Sequence, residues 1–139
     1  MTSSRFSHLA LNVTDLERSV RFYLETLEPL GLRAADGEPS HYARLTNGRD
    51  LVLVLAQAEA RFLDRPHHRK TPGLHHFALA VPTPADLAEM ARHLERLGVP
   101  LLGGRLHASD YRGGYSGLMF EDPDRITIEI AHHQPGYYA

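Results

Sequence analysis

The sequence contains no cysteine, and that absence alone excludes disulfides, thiolate metal ligands and cysteine nucleophiles. No apolar run is long enough to span a bilayer. The opening Met1-Thr2-Ser3-Ser4-Arg5-Phe6 carries no apolar core of the length a secretory leader uses. Neither sign of charge is in surplus: 15 Lys and Arg stand against 17 Asp and Glu, a formal net charge of −2. Such a balance offers no footprint for nucleic acid or an anionic membrane, so neither is an expected partner, and the expected location is cytoplasmic. What is over-represented is histidine, ten in 139 residues, within an otherwise ordinary composition of 42% hydrophobic and 23% charged residues. That length fits one domain or two intimately packed modules, and the histidines invite a search for metal or acid–base chemistry.

Two stretches share a pattern: Ser7-His8-Leu9-Ala10-Leu11-Asn12-Val13 and His75-His76-Phe77-Ala78-Leu79-Ala80-Val81. Period-two alternation predicts strands that put Leu9, Leu11 and Val13 on one face and His8, Ala10 and Asn12 on the other. Phe77, Leu79 and Val81 separate from His76, Ala78 and Ala80 in the same way. An amphipathic helix is predicted after each. Thr14 caps the first with Glu17 as its reciprocal partner, Leu16, Val20, Tyr23, Leu24 and Leu27 form the stripe, and Gly31 ends it. Thr83-Pro84 opens the second, Leu87, Met90, Ala91, Leu94 and Leu97 form the stripe, and Gly98 ends it.

Further strands are predicted at 32–34, 41–45 and 51–55, and again at 99–102, 116–121 and 126–131. His8 to His76 is 76 − 8 = 68 residues and Gly31 to Gly98 is 98 − 31 = 67. Matching offsets imply a duplicated βαβββ unit, hence an α+β fold. The expected organisation is a single domain over 1–139, with module one at about 5–57, a linker at about 58–72, module two at about 73–132 and a tail at 133–139.

In each module one helix can cover only one sheet face. The histidine faces carry small neighbours (Ala10, Ala78, Ala80, Ala131), which leave room for a ligand and do not fill a core. In-phase Glu129 lies between Ile128 and Ile130, where an unpaired buried carboxylate would cost several kcal/mol, a cost a metal or an ion pair removes. A solvent-facing edge strand is the alternative. His8, His76 and Glu129 are therefore the candidate metal ligands. Asn12 shares the histidine face and is a candidate substrate contact. The loop over 103–114 and its flank supply His107, Tyr111, Arg112 and Tyr115 as further contacts, combining flat aromatic area, a guanidinium for an anionic group and mobile glycines. Tyr23 reads as helix core, and the adjacent pairs His67-His68 and His132-His133 read as solvated.

These residues resemble the vicinal oxygen chelate superfamily of glyoxalases, bleomycin-resistance proteins and extradiol dioxygenases. The likeness lies in Ser7-His8-Leu9-Ala10-Leu11-Asn12-Val13-Thr14-Asp15-Leu16, Phe22-Tyr23, His76-Phe77-Ala78-Leu79-Ala80-Val81 and Phe120-Glu121-Asp122-Pro123-Asp124-Arg125-Ile126-Thr127-Ile128-Glu129. Arg125 departs from the family's usual glycine. The resemblance implies two tandem βαβββ modules forming a curled, cup-shaped mixed sheet with helices on its outer face. It also implies a divalent ion (Fe, Mn, Co, Ni or Zn) held by His8, His76 and Glu129, a small-molecule substrate chelated through adjacent oxygens, and a homodimer.

Aligning 50–55 with 125–130 sets Val54 against Glu129, so the fourth ligand position is apolar. That disfavours a lactoylglutathione lyase relative to thiol-transferase-like or dioxygenase-like chemistry. Phe120 stands where the dioxygenases carry an acid–base tyrosine. The alternative function is a non-catalytic protein that sequesters an aromatic drug, so enzymatic activity itself is an open point in the sequence.

Overall fold

The computed structural model describes residues 5–35, 41–104, 107–108 and 113–138. The chain divides into two compact units, Met1–Pro66 and His67–Ala139, and each carries one βαβββ module. Module one comprises β1 (Leu9–Val13), α1 (Leu16–Thr26), β2 (Arg33–Ala34), β3 (Tyr42–Thr46) and β4 (Val52–Gln57). Module two comprises β5 (Phe77–Ala80), α2 (Pro84–Arg96), β6 (His107–Ala108), β7 (Tyr115–Glu121) and β8 (Thr127–His133). Both sheets are mixed, with orders β1-β4-β3-β2 and β5-β8-β7-β6. In each, the first strand pairs parallel with the last and the remaining pairs are antiparallel.

Alternation decides what each strand buries. In module one, Leu11, Val13, Ala43, Leu45, Leu53 and Leu55 are buried with Tyr23 and Leu27, while Ala10 and Asn12 are exposed on the opposite face. In module two, Leu118, Phe120, Ile128 and Ile130 are buried with Leu87, Met90 and Leu94 of α2. Each buried Val, Leu, Ile, Phe or Met side chain among these contributes about 1.5–3 kcal/mol on removal from water. Tyr23 is core, as its helical spacing predicts.

The helix ends differ from the sequence reading in two places. Asp15, not Thr14, caps α1: its Oδ1 accepts from the Arg18 N–H at 2.9 Å. Thr14 Oγ1 accepts from the Arg18 guanidinium. Gln57 completes the cap from β4, accepting from the Leu16 N–H at 3.0 Å and donating to the Thr14 carbonyl. The α-helix also stops at Thr26, short of Gly31, and a 3-10 turn over Glu28–Leu30 bridges the gap. Pro29 is the cause: it has no N–H, and its ring would meet the carbonyl four residues back.

Both modules nevertheless end this segment with the same glycine-centred cap. Gly31 (φ 76°) and Gly98 (φ 69°) take the left-handed conformation. Leu32 and Val99 donate back to Leu27 and Leu94, respectively.

The strand predicted at 99–102 does not form. Pro100 occupies the position that Arg33 holds in β2 and has no N–H to give a ladder. A short strand appears later, at β6.

Candidate functional site

The two ladders share one register. Ala10 lies opposite Val54 in module one, and Ala78 lies opposite Glu129 in module two. Val54 therefore holds the place of Glu129, as the alignment of the halves predicts. His8 and His76 stand at matching positions, each just before the first strand of its module.

Glu129 is set by the turn that precedes it. Asp122 is buried, and its Oδ1 accepts from the Asp124 and Ile126 N–H groups, both at 2.8 Å. The Asp122 N–H donates to the Ile126 carbonyl at 3.0 Å. Arg125 adopts φ 65°, so the turn keeps the left-handed residue that glycine supplies more cheaply, at a cost of about 1 kcal/mol. Its guanidinium lies 3.5 Å from the Glu121 carboxylate.

From this turn β8 runs antiparallel to β7, with Met119 opposite Glu129, Gly117 opposite Ala131 and Tyr115 opposite His133. Glu129 projects from the face opposite Ile128 and Ile130 and is only 4% exposed. Its two oxygens have separate partners. Oε2 lies 3.1 Å from His76 Nε2, and Oε1 accepts from the Tyr115 hydroxyl at 2.6 Å. Gly117 makes the room: a Cβ there would fall 2.7 Å from Glu129 Oε1. His76 Nδ1 lies 2.7 Å from His75 Nδ1, so one of the two rings donates to the other.

Desolvation, then the hydrogen bond to Glu129 and its negative charge, hold the Tyr115 phenol well above the ordinary tyrosine range, so it stays a protonated donor. Thr127 shares the parity of Glu129, is fully buried, and its Oγ1 has no partner among the described residues.

The structure thus brings together His76, Glu129 and Tyr115. His8 is exposed in module one, with Nδ1 3.2 Å from Ser7 Oγ. Asn12 is exposed on the open face of the same module. His107 lies opposite Gly117 in the β6–β7 ladder, and Tyr111 and Arg112 fall outside the described residues. Among the described residues, no group of three or more His, Asp or Glu side chains is placed to hold a metal ion.

The pair in module two suits a divalent ion nonetheless. Metal bonds of about 2.0–2.2 Å place neighbouring donor atoms roughly 3 Å apart, which is the separation of His76 Nε2 and Glu129 Oε2. A charge-assisted hydrogen bond satisfies the same distance. The sequence reading missed the roles of Gly117 and of Tyr115 toward Glu129. A glycine inside an otherwise regular strand is the signal that could have found them, because it marks a close approach.

The chain belongs to the Glyoxalase/Bleomycin resistance protein/Dioxygenase superfamily, whose model matches residues 5–130. An uncharacterized protein of Bacillus subtilis is 31% identical over 128 residues, covering 88% of this chain and 94% of its own. The solved structure of a glyoxalase candidate from Bacillus halodurans is 31% identical, with TM-score 0.77, covering 89% of this chain and 92% of its own. The fosfomycin resistance protein FosX of Mesorhizobium loti shares the fold at 19% identity and TM-score 0.68, with 96% of both chains covered.

Proposed function

We propose that the protein is a metal-dependent enzyme acting on a small molecule. The observation that carries this reading is the buried Glu129 carboxylate, which faces His76 Nε2 at 3.1 Å on the sheet face opposite the α2 core. An unneutralised carboxylate there would be destabilising by several kcal/mol, whereas a shared cation or a protonated imidazole offsets its charge. His76 and Glu129 are the ligands in module two, and His8, at the repeat-equivalent position, is the third donor that the family resemblance supplies. Iron, manganese, cobalt, nickel and zinc all suit two imidazoles and one carboxylate. Such an ion, when bound, polarises substrate oxygens and stabilises the oxyanion that forms on them.

The protein's own side chains set the conditions for this. His75 holds the His76 ring through its Nδ1, which leaves Nε2 to face the carboxylate. Asn12, His107, Tyr111, Arg112 and Tyr115 remain the proposed substrate contacts. Val54 removes a fourth protein ligand, which favours thiol-transferase-like or dioxygenase-like chemistry over a lactoylglutathione lyase. The assembly we propose is a homodimer.

Elemental analysis of protein purified without an affinity tag tests the reading. Wild-type protein is expected to carry stoichiometric divalent metal, and His76→Ala and Glu129→Ala are expected to lose it. Equal retention in both variants would overturn the assignment. A second reading, sequestration of an aromatic ligand without catalysis, is favoured by the tyrosine-rich cluster of Tyr115, Tyr137 and Tyr138 beside the site. It predicts tight aromatic binding that survives removal of metal.

A further inference from the structure

Tyr115 bridges two parts of module two. Its hydroxyl donates to Glu129 Oε1 at 2.6 Å. Its ring stacks on His133, with centroids 6.3 Å apart and planes within 8°. On its other contact it meets Tyr137 at 5.1 Å. Tyr138 closes the cluster against Tyr137 at 4.9 Å and against His133 at 5.2 Å. The backbone after β8 is tied down to support this. The Gln134 N–H donates to the Gly114 carbonyl at 2.8 Å, and the Tyr137 N–H donates to the Gln134 carbonyl at 3.1 Å. The phenol is therefore held at its ring by packing and at its tip by the carboxylate.

We infer that Tyr115 is a positioning residue that fixes Glu129 as a one-oxygen donor. A free glutamate on a strand samples several rotamers and can present either oxygen, or both, to a cation. Here the phenol occupies Oε1, and the missing side chain at Gly117 lets that oxygen sit against β7. Only Oε2 remains directed at His76 Nε2. A phenol hydroxyl has one proton to donate, and here it is given to Glu129 Oε1 at 2.6 Å. Partners of this kind orient a ligand and set its strength without touching the ion. The consequence for a cation rests on the function proposed above, whereas the consequence for the carboxylate rotamer does not.

The test compares wild-type protein with Tyr115→Phe, which keeps the ring packing against His133 and Tyr137 and removes only the hydroxyl. Two readouts are needed: the Glu129 rotamer in a crystal structure of the metal-free variant, and Co²⁺ affinity followed by the visible d–d spectrum. The expected result is that the carboxylate leaves Gly117, that Co²⁺ affinity falls by about 10–100-fold, and that the spectrum shifts as the second oxygen becomes free to bind. Equal Co²⁺ affinity in the two proteins overturns the positioning role. If wild-type protein binds no Co²⁺, the proposed metal function fails and the rotamer alone decides: a displaced carboxylate upholds the clamp, and an unmoved one overturns it.

Discussion

Module one and module two are built on one plan and carry different chemistry. Their ladders match residue for residue, yet the row that reads Ala78, Glu129, Met119 in module two reads Ala10, Val54, Arg44 in module one. One row along, Gly117 of module two corresponds to Tyr42 of module one, which lies opposite Ala56 as Gly117 lies opposite Ala131. The acid and the space for it thus occur together, and so do the apolar side chain and the bulky ring. A buried carboxylate needs a partner and a cavity at once, so the two positions form one functional unit. A sheet duplicated with its backbone intact can confine a buried carboxylate to one half.

Exchanging these positions tests the contrast most directly. Glu129→Val, which gives module two the residue of module one, is expected to weaken divalent metal binding by more than about 100-fold, since it removes a ligand outright. The metal-free variant is expected to unfold at a lower urea midpoint, because removing the carboxylate leaves the Tyr115 hydroxyl and the His76 ring without their partner. Isothermal titration calorimetry and urea denaturation read the two effects separately.

Gly117→Ala is expected to destabilise the protein by about 1–3 kcal/mol. Its Cβ would lie 2.7 Å from Glu129 Oε1 and 3.3 Å from the Ile130 carbonyl, and the urea midpoint reports the loss. If the variant is as stable as the parent, the close approach is not what requires glycine there. Arg125→Gly acts in the opposite direction, raising stability by about 0.5–1 kcal/mol as the left-handed strain is relieved. The exposed ion pair to Glu121 that is lost offsets only part of this.

The smallest effect concerns Tyr115. Its raised phenol pKa means that its contribution is fully present below the ordinary tyrosine range and is lost only as pH climbs beyond it. Near neutrality no change is expected. In an ultraviolet phenolate titration Tyr115 is expected to ionise only above the ordinary tyrosine range.

Much of this was legible in the sequence, because strand parity is legible. Alternation over residues 77–81 and 127–131 was enough to put His76 and Glu129 on one face, and aligning the two halves named Val54 as the counterpart of Glu129. What escaped it depended on events outside the local pattern. Gln57 reaches from β4 to help cap α1, which shifts the cap from Thr14 to Asp15. Pro29 and Pro100 override the periodicity around them, one by breaking a helix and the other by denying a strand. The Tyr115–Glu129 contact joins residues whose pairing depends on the β7–β8 register, and Gly117 was its only local trace.

The turn at Asp122 acts on the site from a distance. Side chains on a strand change face with every residue, so sliding β8 by a single position against β7 would send the Glu129 carboxylate in among the Leu118 and Phe120 side chains and bring Ile128 or Ile130 out to His76. Asp122 fixes the starting point of that count by holding the Ile126 N–H. A substitution at Asp122 that kept the strand but let it slip would erase the site while leaving every one of its residues in the chain.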